Sequence, residues 1–318
     1  MLKYFSKRFL AMFFVLLATV ILIFTMMSFV PGDPAISLLG PNATPEQIAQ
    51  IHKQLGLDDP FIMRLGRYLM GLLKGDLGMS YRSKSPVLKE LLARYPTTLT
   101  LTCGSIVLGI LIGVTAGVIS AVKQYSVMDR VLTAFSLFGV SAPSFWIAML
   151  LVLYFSLHLG WFPATGSYGV QYWVLPIFTM GLQCSASIMR MTRSSMLEVI
   201  RQDYVRTARA KGQTEFKVII GHALRNALMP ILTVVGIEIC GFLGGSVLVE
   251  TVFALPGLGK FILDSVGFKD YPVVQGGVLW ICINCVIITF IIDLLYALVD
   301  PRIRSMYSGS KKKKKEAA

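Results

Sequence analysis

Four groups of residues have the types and spacing from which chemistry is built. Glu238 is a lone carboxyl in the apolar run Leu228–Val249. Ala254-Leu-Pro-Gly257-Leu-Gly259-Lys260-Phe261 has the outline of a phosphate-cradling loop, and Cys282 and Cys285 are spaced as a CxxC pair. The passage DYVRTARAKGQTEFKVIIGHALRNALMP, Asp203 to Pro230, gathers basic residues between two apolar runs. The chemistries these admit are cation or proton handling, nucleotide binding, redox or metal binding, and docking to a charged surface.

Two of the four are weakened by their own residues. A phosphate loop, GxxxxGK[ST], needs Gly where Ala254 stands and Ser or Thr where Phe261 stands, so no nucleotide is expected there. In an apolar helix the CxxC spacing puts two small polarizable side chains on one face, and packing is favoured over redox or metal chemistry. None of the three histidines, His52, His158 and His222, is near enough in sequence to add a ligand. All five cysteines (Cys103, Cys184, Cys240, Cys282, Cys285) lie in apolar runs and do not form a disulfide framework for a loop. No HExxH, GxSxG or paired carboxylates occur in an apolar run, so an enzyme is not expected.

The elements that position these residues are membrane helices. The chain has 318 residues, 55% hydrophobic and 15% charged, with mean hydropathy +0.68, outside the range of soluble domains. Phe9–Val30 is free of Asp, Glu, Lys and Arg and, at 1.5 Å per residue, reaches about 33 Å, enough for a hydrocarbon core of about 30 Å. Its apolar length exceeds that of a signal-peptide core, and Pro31-Gly32-Asp33-Pro34 lacks a small-x-small cleavage pattern, so it is read as a retained span. Thr97–Val122, Val131–Met189 (two spans with a turn near Gly160–Gly169), Leu228–Val249 and Tyr271–Ile292 complete a prediction of six spans in an all-α polytopic protein.

The distribution of Lys and Arg orients them. With the N-terminus inside, residues 1–8, 123–130, 190–225 and 302–318 face the cytoplasm and hold 20 of the 30 basic residues, whereas the outer loop 158–171 holds none. The C-terminus is then also inside. The net charge of +13 is explained by anionic lipid headgroups and calls for no nucleic acid. The expected organisation is residues 1–30 as N-terminus and first span, 31–95 as an outer helical segment, 96–300 as a five-helix core with a cytoplasmic region 193–227, and 301–318 as a basic tail. Lys311–Lys315 of that tail are either a lipid-binding cluster or an expression remnant.

Within this frame three features are specific. In the outer segment, Thr44 before Pro45 is a helix start, Gly56 a stop, Phe61–Leu73 a second amphipathic helix and Gly75–Gly78 a turn; the segment is either a cap over the spans or a docking surface. Gly109, Gly113 and Gly117 form two overlapping GxxxG steps that permit close helix approach, within the chain or between subunits. Glu238 lies about 15 Å into its span, where a carboxylate costs roughly 2.5–3.5 kcal/mol unless it faces a cavity or a partner. Glu238, Gly241, Gly245 and Ser246 are therefore expected to line a polar path, with a hydrogen-bonded structural Glu as the alternative.

The basic passage reads as Asp203 capping a short helix Tyr204–Lys211, Gly212 as the elbow, and Thr214 capping a second helix that leads to Pro230 and the fifth span. Composition alone also admits an interfacial helix that snorkels its arginines.

DYVRTARAKG…HALRNALMP resembles the cytoplasmic EAA-type loop of binding-protein-dependent ABC-transporter permeases, in the form found in the dipeptide, oligopeptide and nickel import group. GDLGMSYRSKSPV at 75–87, VETVFALPGLGKFILDSVGFKDYPVVQG at 249–276 and DLLYALVDPRIR at 293–304 resemble the B-type subunit of that group, so the likeness covers nearly the whole chain. Of the general pattern Glu-Ala-Ala-x3-Gly, only Ala208 and Gly212 agree.

The resemblance implies a type I importer permease fold in a prokaryotic inner membrane. It implies coupling to two cytoplasmic ATPase subunits through Asp203, Tyr204, Arg206, Thr207, Ala208, Arg209, Lys211, Gly212 and Glu215. Arg206 and Arg209 would touch the ATPase, Ala208 would allow its close approach and Gly212 would form the elbow. ATP and Mg would be held by those subunits and no cofactor by this chain. The remaining implied partners are a paralogous permease and an extracytoplasmic binding protein, with peptides as cargo and nickel chelates or glutathione as alternatives. An ion-coupled secondary transporter would need midplane carboxylates in both halves, and a single acid does not supply them.

Overall fold

A computed structural model describes residues 2–40 and 42–299, with side chains described for 8–40 and 42–296. The basic tail 301–318 lies outside the described residues. The secondary structure is helical: α1 (Leu2–Phe29), α2 (Pro34–Leu39), α3 (Pro45–Leu55), α4 (Phe61–Leu73), α5 (Val87–Val122), α6 (Val127–Ser141), α7 (Ser144–Leu151, continued by a π-helical stretch Val152–His158), α8 (Gln171–Ile200), α9 (Asp203–Ala210), a π-helical stretch Lys217–Leu224, α10 (Arg225–Gly245), α11 (Val247–Val252), α12 (Leu258–Gly267) and α13 (Tyr271–Val299). Among the described residues five helices are long and apolar enough to cross a membrane, six if α6 and α7, which meet at a bend of 104°, are taken together as one broken span rather than a re-entrant loop.

The chain forms two compact units that are not consecutive in sequence. One holds Ser6–Thr98 with Pro256–Asn284 and the other Leu99–Leu255 with the C-terminal part of α13.

In the first unit, α3 starts as its residues predict. The Thr44 hydroxyl accepts from the Gln47 amide while the Gln47 side chain accepts from the Thr44 amide, Pro45 follows, and Gly56 ends the helix at φ 64°. Asp270, almost fully buried, accepts from the Ser80 hydroxyl (2.5 Å), the Tyr81 amide (3.0 Å) and the Arg82 amide (3.3 Å). Those bonds tie the GDLGMSYRS turn to the start of α13. Val87, Leu91, Leu258 and Val273 form a small core beside it. Gly276 and Gly277 let α13 approach that core: an added Cβ would lie 2.8 Å from Val87 Cγ1 and 2.5 Å from Ile262 Cγ1 respectively.

In the second unit α8 is the central helix, contacted by α6, α7 and α10. Helix α5 reaches it through glycines. A Cβ on Gly109 would sit 2.6 Å from Cys184 Sγ, on Gly113 2.7 Å from the Ser185 carbonyl oxygen, and on Gly117 2.8 Å from the Met189 carbonyl oxygen. This glycine face is spent on contact within the chain, which decides between the two readings of the GxxxG steps. Gly139 of α6 plays the same part against Ala186.

Three boundaries differ from expectation. The third span is not continuous: Ala142 is extended (ψ 130°) before Pro143, which caps α7, because a residue preceding proline is driven out of the helical region. Helix α5 starts at Val87 rather than Thr97, since Pro96 is accommodated inside it. Pro230 does not open the fifth span; the backbone is helical from Glu215 through the π-helical stretch into α10, and Pro230 lies inside α10.

Candidate functional site

Helix α9 has two faces. Val205 and Ala208 are buried in the main core with Val218 and Ile219, while Asp203, Arg206, Thr207 and Ala210, spaced three and four apart, are exposed on the other side. The Thr207 hydroxyl donates to the Asp203 carbonyl (2.9 Å). Ala208, expected at a partner's surface, is turned into the chain's own core because it shares the Val205 face. Asp203 is not the cap. Gln202 takes that position without a side-chain bond, and Asp203 begins the helix, its carboxylate in the first turn where the dipole favours it.

The elbow is built from Gly212 and the residues on either side. Gly212 has φ 76°, a conformation L side chains rarely adopt, and nothing stands within 4 Å of where a Cβ would be. Its amide donates to the Arg209 carbonyl (2.9 Å). Arg209 reaches across to Glu215, with Nε donating to Oε1 at 2.8 Å and Nη2 to Oε2 at 3.3 Å. Past the elbow, Gln213 Oε1 and His222 Nε2 lie 2.7 Å apart. The Tyr204 hydroxyl pKa is raised by burial and lowered in smaller part by Asn226, at the start of α10. Lys211 and Arg206 are exposed.

An ion pair between a buried carboxylate and a part-exposed guanidinium, missed by sequence reasoning, lies in the same unit. Asp129 of α6 accepts from Arg193 of α8 in two-pronged fashion (Nε–Oδ1 2.7 Å, Nη2–Oδ2 2.9 Å), from the Tyr125 amide (2.9 Å) and, in a short bond, from the Ser120 hydroxyl. Three helices, α5, α6 and α8, are thus fastened at one end. The two residues are 64 apart in sequence, and the one signal was an acid among the basic residues of 123–130.

The residues expected along a path do not share one surface. Glu238 is half-buried and its carboxyl meets the Ser187 hydroxyl of α8. Gly241 and Gly245 lie on the open face of α10 with Thr233 and Ile237, and nothing stands within 4 Å of a Cβ at either glycine. Ser246 is fully buried and donates to Glu250 Oε1 (2.7 Å), so it does not line a path; its hydroxyl satisfies a buried carboxyl. Cys282 lies 3.5 Å from the Thr19 hydroxyl, and the Cys285 thiol points at the Cys240 carbonyl.

Residues 113–305 match the family described as binding-protein-dependent transport system inner membrane component, and residues 1–102 match the N-terminal component of the same transport systems. The chain belongs to this family of inner membrane permeases. The dipeptide transport system permease protein DppB of Alkalihalophilus pseudofirmus is 40% identical to this permease over 96% of the chain and 100% of the relative. The glutathione transport system permease protein GsiC of Salmonella paratyphi A is 41% identical over 96% and 99%. Among solved structures, the inward-facing MetNI methionine ABC transporter aligns at TM-score 0.55 and 23% identity, covering 67% of the permease and 97% of that chain. An amino acid ABC transporter aligns at TM-score 0.52 and 15% identity, covering 65% and 93%. These two likenesses concern the fold alone.

Proposed function

We propose that this permease is the B-type subunit of an ATP-driven importer of di- or oligopeptides. The observation that carries the reading is the full-length likeness to dipeptide and glutathione permeases. Two cytoplasmic ATPase subunits supply the energy, holding ATP and Mg, and an extracytoplasmic binding protein delivers the peptide. Coupling runs through Asp203–Gly212: the face of Asp203, Arg206, Thr207 and Ala210 seats on an ATPase, and the Gly212 elbow passes its displacement to the helix that begins at Glu215. The inward-facing Val205 and Ala208 make α9 move with the core rather than slide over it. A paralogous permease completes the path, and the open glycine face of α10 is its natural seat. Glu238 lines the path beside α8.

The likeness to a glutathione permease at 41% identity, against 40% for the dipeptide permease, favours glutathione as a second cargo. The test is uptake into proteoliposomes holding the assembled complex and its binding protein, with ATP inside. A dipeptide accumulating only with ATP and binding protein supports the reading; accumulation of glutathione alone moves the cargo to the second class, and ATP-independent uptake rejects the importer.

A further inference from the structure

The extracytoplasmic segment and its neighbours in the first unit enclose a pocket that the transport reading does not use. Its volume is about 290 Å³, and its walls include Phe24 of α1, Leu57 after α3, Arg64 and Tyr68 of α4, Asp76 and Tyr81. That is the size of a site for a small molecule rather than a helix or a strand.

Three polar groups in it are unspent. The Tyr68 hydroxyl is buried with no hydrogen-bond partner among the described residues, a desolvation penalty that an entering acceptor would relieve. The Tyr68 ring is fixed by stacking on Phe24 at 5.7 Å, so the hydroxyl is held in place and not free to swing out. The Arg64 guanidinium makes no ion pair or hydrogen bond among the described residues; it lies 5.9 Å over the Phe24 ring, and its charge acts on the Tyr81 hydroxyl. Burial pushes that hydroxyl's pKa up to about 12, so Tyr81 stays a neutral donor. Arg67, by contrast, is spent on Asp59 at 2.5 Å. One Asp76 oxygen accepts from the Gly78 amide (2.8 Å).

A fixed neutral donor beside an unpaired planar cation suits a carboxylate, and aromatic and aliphatic walls suit an apolar side chain next to it. Asp76 on the rim supplies the opposite charge for an ammonium. We propose that this pocket binds the C-terminal residue of a small peptide, its carboxylate on Arg64 and the Tyr68 hydroxyl, outside the translocation path. The choice of a peptide over another carboxylate rests on the proposed peptide transport; the pocket's carboxylate chemistry does not.

The test is equilibrium binding of radiolabelled Ala-Phe and of its C-terminal amide to the assembled complex in nanodiscs without the binding protein. Saturable binding of Ala-Phe, at least tenfold weaker for the amide, is expected on the unaltered complex. R64Q should bring the two ligands to the same weak affinity, and Y68F should weaken Ala-Phe several-fold while leaving ATP hydrolysis unchanged. Absence of saturable binding, equal binding of the amide, or an R64Q complex that still prefers the free carboxylate overturns the inference. The unaltered complex tests it even if R64Q fails to assemble. Uptake of Ala-Phe measured on the same complex keeps the two readings separate: uptake without pocket binding removes only this inference, and pocket binding without uptake removes only the peptide importer.

Discussion

Arg209 and Glu215 close a two-pronged ion pair across Gly212, joining the end of α9 to the start of the helix that becomes α10. Both side chains are exposed, so the pair contributes at most about 1 kcal/mol. What holds the elbow in shape is the backbone: the positive φ of Gly212 and the amide it donates to Arg209.

That places the sharpest test of coupling on Gly212. Because no atom crowds a Cβ there, Gly212→Ala is strained only through its φ, at about 1 kcal/mol, and Gly212→Asn, which tolerates this conformation, by less. Gly212→Pro cannot adopt φ 76° at all and also removes the amide bonded to Arg209. ATP-driven uptake in a reconstituted complex should be near normal for Asn, reduced for Ala and lost by at least tenfold for Pro. Wild-type uptake in the proline variant would remove the elbow from the mechanism.

The Asp129–Arg193 pair should behave as a fastening built on a buried carboxylate. Removing Arg193 leaves a buried carboxylate held by the Ser120 and Thr133 hydroxyls and the Tyr125 amide, at a cost of about 3 kcal/mol, whereas removing Asp129 leaves a part-exposed guanidinium that water can reach and costs less. Thermal unfolding of the detergent-solubilised complex should show Tm falling in D129A and in R193A, with the double variant less destabilised than the sum. Strict additivity would mean that the two groups act independently.

Two glycines on different helices should give opposite results. At Gly113 a methyl group would meet the Ser185 carbonyl at 2.7 Å, and backbone cannot step aside, so Gly113→Ala should destabilise the chain by about 2 kcal/mol. At Gly241 a methyl meets nothing within 4 Å, and Gly241→Ala should leave the isolated chain's stability unchanged. If the open face of α10 is covered by a second permease, G241A will instead weaken co-purification of that subunit. Unchanged stability together with unchanged co-purification would leave this face to lipid.

Local rules account for what was readable in the residues. The Thr44 start ahead of Pro45, the Gly56 stop and the bounds of α4 depend on neighbours within a turn, and each was found where its residues indicated. The break at Ala142-Pro143 obeys an equally local rule, but the uninterrupted apolar composition around it masked the signal. Pro96 and Pro230 carried the same kind of signal and no break followed, since a helix packed among others can accommodate a proline. The inward face of Ala208, the burial of Ser246 and the meeting of Asp129 with Arg193 depend on which helices become neighbours, and no periodicity within one helix encodes that. Glu238 stood out by its charge alone; its partner Ser187, 51 positions earlier, did not.

Replacing Glu238 by Gln separates its charge from its hydrogen bond. Gln retains the size and the contact with Ser187, so assembly should be unaffected. If the carboxylate faces the peptide's route, uptake of a lysine-containing dipeptide should fall roughly fivefold relative to a neutral one, equivalent to about 1 kcal/mol. Equal uptake of both peptides in E238Q, at the original rates, would make Glu238 a structural residue of the α8–α10 contact.

His52 provides the pH-dependent test. Its Nε2 lies 2.8 Å from both Asp33 oxygens and its Nδ1 3.3 Å from Asp58, so both ring nitrogens face carboxylates, and only the imidazolium donates to both. The bond to Asp33 is the largest influence and raises the pKa of His52; burial opposes it and Asp58 assists. A pKa raised in the folded chain means that protons bind more tightly there than in the unfolded chain. The stabilisation is therefore complete below about pH 6.5, the unfolded value, and is lost as pH rises through the folded one. Asp33 also caps α2, accepting from the Ala35 amide at 2.8 Å, so loosening the pair should loosen that helix. Hydrogen exchange at the Ser37 and Gly40 amides, corrected for intrinsic rates, should be slower at pH 6 than at pH 8, and His52→Gln should abolish the difference. Protection that is the same at both pH values in the unaltered chain would show that the α2 cap does not depend on the charge of His52.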